Sequence, residues 1–266
     1  MSAVLSDFMS VFASLVEGLA DLVRPVFHDS AAAAAIVLFT AFVRLLVHPL
    51  SRASARGQRA RAALQPRIAE LRRKHGKNPE KLQKAVLELH AREKVSPLSG
   101  CLPSLFQLPA FFLLYHLFSN AEIGGGANSL LAHTLLAAPL GGRWADALAD
   151  GGPFGPQGLV YAALFAVVAV VATFNYRRTK RMMAASAASA AGPRGAAGGG
   201  EGPQVPGMGA ITRFMPLMSF FTLVTVAVVP LAAALYVVTS TTWSAVERAV
   251  LYRDMPGAAP ATVVLG

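Results

Sequence analysis

Long apolar runs separated by polar intervals set the pattern of this chain. The first, Ala31 to Leu50, matches the ~20 apolar residues an α-helix needs to cross a bilayer, so it predicts a first span with Pro49 at its end, a place where a helix can break. Leu98–Ser119 and Gly158–Tyr176 predict a second and a third span. From Phe214 to Leu251 the chain is apolar for too long to cross once; Pro230 divides it into a short fourth span (214–229) and a fifth (231–251). The architecture expected is all-α, with five transmembrane helices.

Between the runs the polar pattern takes helical spacing. Leu5, Phe8, Phe12, Leu15, Leu19 and Leu22 recur on one side of residues 5–23, with Ser14, Glu17 and Asp21 elsewhere on the wheel. That segment is too polar to span comfortably, so residues 1–29 are expected to form an amphipathic interfacial helix, set off from the first span by Pro25 and Asp29. Residues 51–96 read as a helical hairpin: Leu64, Ile68 and Leu71 stripe one helix, Leu82, Val86 and Leu89 the other. Between them lie Gly76 as a C-cap, Asn78 as an N-cap and Pro79 as a first-turn proline. The Ala/Gly/Pro stretch 184–210 is expected to be a disordered linker. The organisation read from the sequence is therefore 1–29, a first span in 30–50, the hairpin 51–96, spans two to five with the linker in 97–251, and a short tail 252–266.

Charge orients this arrangement. Residues 51–96 carry 13 Lys/Arg against Glu70, Glu80, Glu88 and Glu93, a net of +9 in a chain whose total is +10. Arg177, Arg178, Lys180 and Arg181 follow the third span, whereas loop 120–156 is acidic at −2. Basic loops stay in the cytoplasm, which gives an N-out, C-in multi-pass topology. Only 14% of residues are charged and 54% are hydrophobic, where soluble domains carry about 25% charged residues. Cys101 is the single cysteine, so an intramolecular disulfide and a Cys metal cluster are excluded. No basic leader precedes an apolar core, so a cleavable signal is not expected.

Arg44 lies inside the first apolar run. A guanidinium there costs ~2.5–3.5 kcal/mol on insertion scales unless the protein gives it a polar home. Six residues before Leu50, it sits ~9 Å from that end at 1.5 Å per residue, in the cytoplasmic half of the bilayer. Two readings are open: it lines a hydrated cavity, or its stem snorkels to the headgroups.

The chain resembles the YidC family of membrane protein insertases. The resemblance is carried by Arg44-x-x-x-His-Pro-Leu50, Leu64-Gln-Pro-Arg-Ile68, Glu93-Lys-Val-Ser-Pro-Leu-Ser-Gly-Cys-Leu-Pro103, Gln107-Leu-Pro-Ala-Phe111 and Pro230-Leu-Ala-Ala-Ala-Leu-Tyr236, in order over roughly residues 30–250. It implies a five-span core around a hydrophilic groove open to the cytoplasm and the lipid, and an Arg44 that draws acidic residues of an incoming polypeptide into that groove. It also implies that the basic hairpin, with Arg67, Arg72, Arg73 and Lys74, makes early contacts with substrate or targeting partners. The partners implied are nascent membrane proteins with acidic or polar tails, the lipid bilayer, and the Sec translocon, the signal recognition particle pathway and the ribosome. The location implied is the bacterial plasma membrane. No cofactor, no metal, no nucleic-acid specificity and no catalytic step are expected.

Within such a groove the candidate lining residues are Arg44, Gln107, Thr222, Thr225, Thr239, Thr242 and Trp243. Gln107 stands between Pro103 and Pro109, so its amide either lines the groove or satisfies freed carbonyls. The hydroxyls Ser219, Thr222, Thr225, Thr239, Ser240 and Thr242 either line the groove or bond back along their own helices. Met182, Met183, Met208, Met215 and Met218 suit a surface receiving varied apolar segments, or lipid contact. The six histidines are dispersed, and no triad, paired-carboxylate site or phosphate loop is present in the sequence. Ser96, Ala232, Thr241 and Glu247 depart from common family residues; Glu247 is placed to pair with Arg248 or Arg253. Residues 254–266 contain no Lys or Arg, so a tail-borne ribosome contact is not expected. Two rival classes are a transporter or channel, against which the spans show no repeated half-site pattern, and a scaffold that holds partner helices without inserting them.

Overall fold

The structure, a computed structural model, describes residues 3–75, 78–93, 112, 115–123, 126–190 and 215–251. They are mostly helical: α1 (Ala3–Phe27), α2 (Ala31–His75), α3 (Pro79–Arg92), α4 (Trp144–Ala149), α5 (Pro156–Ala190), α6 (Phe221–Val228) and α7 (Leu231–Leu251). Two small antiparallel hairpins lie within the stretch expected to be a plain loop. Strand β1 (Glu122–Ile123) pairs with β2 (Gly126–Ala127), and β3 (Thr134–Leu135) with β4 (Ala138–Pro139). Ser10–His75 and Pro156–Ala184 are long and apolar enough to cross a membrane, and Pro216–Val228 is a shorter apolar helix.

Several expected boundaries move. Helix α1 runs through Pro25 and ends where His28 takes a positive φ of 48°, the left-handed turn that commonly terminates helices. A 3-10 turn, His28–Ser30, leads into α2. Helix α2 does not break at Pro49, nor at Pro66, and both prolines lie within its 45 residues. Each removes one hydrogen bond, and the surrounding turns hold the helical path without it. Helix α5 extends to Ala190, into the segment expected to be a linker, because its Ala- and Met-rich end is strongly helix-forming. The remainder of that linker, most of the second expected span and the tail lie outside the described residues.

The chain divides into two compact units. Unit 1 comprises Met1–Val47, Phe106–Thr173 and Ser219–Val246. Its core is built from Val16 and Ala20 of α1, Ala32, Ile36 and Phe39 of α2, Leu117 and Phe118, Val160, Tyr161 and Val168 of α5, Val226 of α6, and the unbroken buried run Leu231–Val238 of α7. Phe12 meets Phe39 edge-on at 5.8 Å, and Trp144 packs on Tyr161 and Phe165 at 5.7 and 5.2 Å. Small alanines on α2 and α7 permit this close approach of backbones, the usual packing currency where lipid removes the hydrophobic drive.

The first N–H groups of a helix have no partner within it. Here the loop before α4 supplies them: Leu231 N donates to Gly142 O and Ala232 N to Leu140 O, both at 2.8 Å. The Tyr161 hydroxyl donates to the same Gly142 carbonyl at 2.6 Å. One short loop thereby fixes where α7 starts.

Close approach also explains Gly158, in the first turn of α5. A Cβ there would lie 2.4 Å from Gly152 O and 2.7 Å from Pro153 O. Gly158→Ala is expected to cost about 1–3 kcal/mol, as other overpacked sites do. Gly18, which has nothing within 4 Å of its virtual Cβ, is the control; Gly18→Ala is expected to be neutral or stabilising by up to ~1 kcal/mol. Thermal unfolding in detergent separates the two.

Unit 2 comprises His48–Leu105, Phe174–Met218 and Glu247–Gly266. Its described part contains the expected basic hairpin. Asn78 caps α3, its side chain accepting from Lys81 N at 3.0 Å, with Pro79 in the first turn. Leu64 and Ile68 are buried, and Leu71, Leu82, Val86 and Leu89 are half-buried. Arg67 pairs with Glu93, bringing the end of α3 back beside α2.

Candidate functional site

Arg44 sits one helical turn beyond the buried Thr40 on α2. The Thr40 hydroxyl donates to Ile36 O at 2.6 Å, leaving Arg44 as the first charged residue of that face. Outward-facing Val37, Leu38, Phe42, Leu45 and Leu46 are exposed. The guanidinium is half-buried and turns to α7, where Nε donates to Ser240 Oγ at 3.1 Å and Nη2 donates to the same oxygen. Ser240 is buried, one helical turn after the buried Tyr236. Tyr236 stands on Phe118, ring centroids 6.1 Å apart. The arrangement is an arginine with one edge of its fork committed to a buried hydroxyl.

Ser240 belongs to the hydroxyl set read from the sequence, although Thr239 and Thr242 were favoured over it. Helical spacing explains the difference. Tyr236, Ser240, Trp243 and Ser244 fall on one side of α7, with Trp243 half-buried. Thr239 and Thr242 lie about 100° and 160° away on the wheel, and both are half-buried. The Thr242 hydroxyl is enclosed and has no hydrogen-bond partner among the described residues. On α6, Thr222 and Thr225 are half-buried, and Thr225 bonds back to Phe221 O at 3.3 Å. Thr241 and Ser244 bond back likewise, to Val237 O at 2.8 Å and Ser240 O at 2.9 Å. Gln107 lies outside the described residues.

Within unit 2, Glu247 pairs with His48, whose Nδ1–H donates to Oε1 at 2.6 Å; among the described residues it makes no pair with Arg248, and Arg253 lies outside them. The signal was present in the sequence, since His48 follows Arg44 by four residues and Glu247 follows Ser240 by seven, each a helical repeat. Arg59 donates to Leu251 O at 2.6 Å. Arg72, Arg73 and Lys74 are exposed at the end of α2, where cations are favoured by the helix dipole.

Helices long and apolar enough to span, one of them carrying a half-buried arginine tied to a neighbouring helix, define the class: a helical membrane protein. The family described as 60Kd inner membrane protein matches residues 24–258, and the chain belongs to that family, the YidC family. It is similar to the membrane protein insertase YidC of Magnetococcus marinus, 44% identical over 90 residues that make up 34% of this chain and 16% of that relative. It is likewise similar to those of Clostridium perfringens, 42% over 85 residues (32% and 36%), and Anaeromyxobacter sp., 46% over 81 residues (30% and 15%). The matched segments span well under half the length of these relatives.

Proposed function

We propose that this chain is a membrane protein insertase of the bacterial plasma membrane, working alone or beside the Sec translocon. Five spans, N-out and C-in, would enclose a hydrophilic groove open to the cytoplasm, and the basic hairpin 51–96 would meet substrates first, through Arg67, Arg72, Arg73 and Lys74. Arg44 attracts the carboxylates of a polar tail into the groove, where low dielectric strengthens the attraction. Gln107, Thr222, Thr225, Thr239, Thr242 and Trp243 remain the proposed lining, with Ser240 added. The apolar segment of the substrate then leaves sideways into lipid, driven by removal of its surface from water. No nucleotide and no covalent step are needed.

The observation that carries this reading is the direction of the Arg44 side chain. A snorkelling arginine extends along its own helix toward headgroups; this one is held by Ser240 of another helix. Membership of the family supplies the rest. The experiment is insertion of a short, single-span, acidic-tailed protein into liposomes containing only the purified chain, read as protease protection. Protection above empty liposomes supports an autonomous insertase. Its absence, with the protein folded, would shift the reading to a Sec-dependent or scaffolding role.

A further inference from the structure

Helix α1 presents three faces where the sequence pattern showed two. Phe12, Val16, Leu19 and Ala20 join the core of unit 1. Ser14, Glu17, Asp21 and Arg24 form a polar strip. Val11, Leu15, Leu22 and Val26, on one side at helical spacing, form a third strip, each more than half exposed. The strip ends at the corner where the chain turns through His28–Ser30 into α2.

A second element meets that corner. Strand β3 packs on the 3-10 turn, and Leu136 N donates to Ser30 Oγ at 3.2 Å. Leu136 is at the tip of the β3–β4 hairpin with φ 54° and 75% of its surface exposed. Two-residue hairpin turns place Gly or Asn at positive φ. A leucine there is strained, and it gains no burial in the protein to offset that.

We propose that Leu136 is a lipid wedge. The hairpin tip, with Leu22, Val26 and Phe27, enters the boundary between headgroups and acyl chains of the leaflet where α2 begins. The occupant is a lipid monolayer because the apolar run of α2 starts at Ala31, directly after the corner, and its exposed face from Val37 onward meets the same hydrocarbon. The polar strip of α1 supplies the side that stays in water, the arrangement of an interfacial helix. The wedge fixes the depth of unit 1 and therefore of Arg44. This inference rests on reading α2 as a span.

The test uses the full chain with Cys101→Ser and single cysteines carrying an environment-sensitive dye at Leu136, Val26, Asp21 or Leu46, in phosphatidylcholine–phosphatidylglycerol liposomes. Dyes at Leu136 and Val26 should be quenched severalfold more by lipids brominated near the headgroup than by aqueous iodide, with the reverse at Asp21. Leu46, exposed on α2, should be quenched by lipids brominated deep in the chain. Iodide access at Leu136 equal to that at Asp21 overturns the proposal, and so does quenching by neither agent, which would mean that a second copy covers the tip. If Leu46 also escapes the lipid quenchers, the spanning reading fails; if Leu46 is quenched and Leu136 is not, the wedge alone fails. Leu136→Asn, which suits the positive φ, should leave thermal stability in detergent unchanged or higher while raising iodide access at Val26 about twofold. Unchanged access would overturn the anchoring role.

Discussion

Arg44→Ala is expected to lower insertion of an acidic-tailed substrate by at least tenfold in liposomes that contain only this protein. Two unit charges 4 Å apart interact by about 4 kcal/mol at the effective dielectric typical near a protein surface, and a tenfold effect needs only about 1.4 kcal/mol. The attraction can therefore lose two thirds of its strength to water and salt and still decide the outcome. Arg44→Lys should fall between wild type and Ala. It keeps the charge, but Arg44 uses Nε and Nη2 of its planar fork on Ser240. A lysine offers one ammonium and cannot reproduce that two-nitrogen geometry. A substrate with an uncharged tail is the control and should respond weakly. Equal protection by wild type and Arg44→Ala with the acidic substrate would remove the charge from the mechanism.

Tyr236→Ala should give the largest loss of stability among changes near the site. Tyr236 is fully buried on Phe118 in the middle of the buried run of α7. Removing a buried aromatic ring costs about 3–5 kcal/mol in water-soluble cores. In a membrane the transfer part weakens, but the lost packing contacts remain, so about 2–4 kcal/mol is expected. For a chain of this size that lowers the midpoint of thermal unfolding in detergent by roughly 5–15 °C. Tyr236→Phe keeps the ring and loses only the hydroxyl beside Ser240, a change of about 0.5–1.5 kcal/mol. An alanine variant that melts with the wild type would show that α7 is held by something other than this ring.

Helix content, the cap at Asn78, the stripe Leu64 and Ile68, and Arg44 were legible because each depends on local chemistry: side-chain period, capping geometry, or a charge in an apolar run. The failures came from tertiary context. Pro49 marked a place where a helix can break, yet α2 passes through it, since neighbouring turns outweigh one missing hydrogen bond. The hydroxyls of α7 were chosen as a set, but only the contact with Arg44 distinguishes Ser240 from Thr239, and nothing in a single sequence records which side of α7 faces α2. Glu247 was matched to arginines by charge alone; His48 meets it across a distance of 199 residues in sequence. The short hairpins of residues 122–139 gave no signal because two-residue strands have no period to detect.

The carbonyls of Leu140 and Gly142 that close the start of α7 also take up donors that would otherwise be open to an anion. An open helix N-terminus is an anion trap, with converging N–H groups and a positive dipole end. Such a trap on α7 would lie nine residues, ~14 Å, from Ser240. The protein's own loop occupies two of those donors, so under the proposed insertase reading a carboxylate leaving Arg44 would meet a weakened resting place there. On that reading, capture would be kept from becoming retention, and a carrier that must release every chain it admits could turn over.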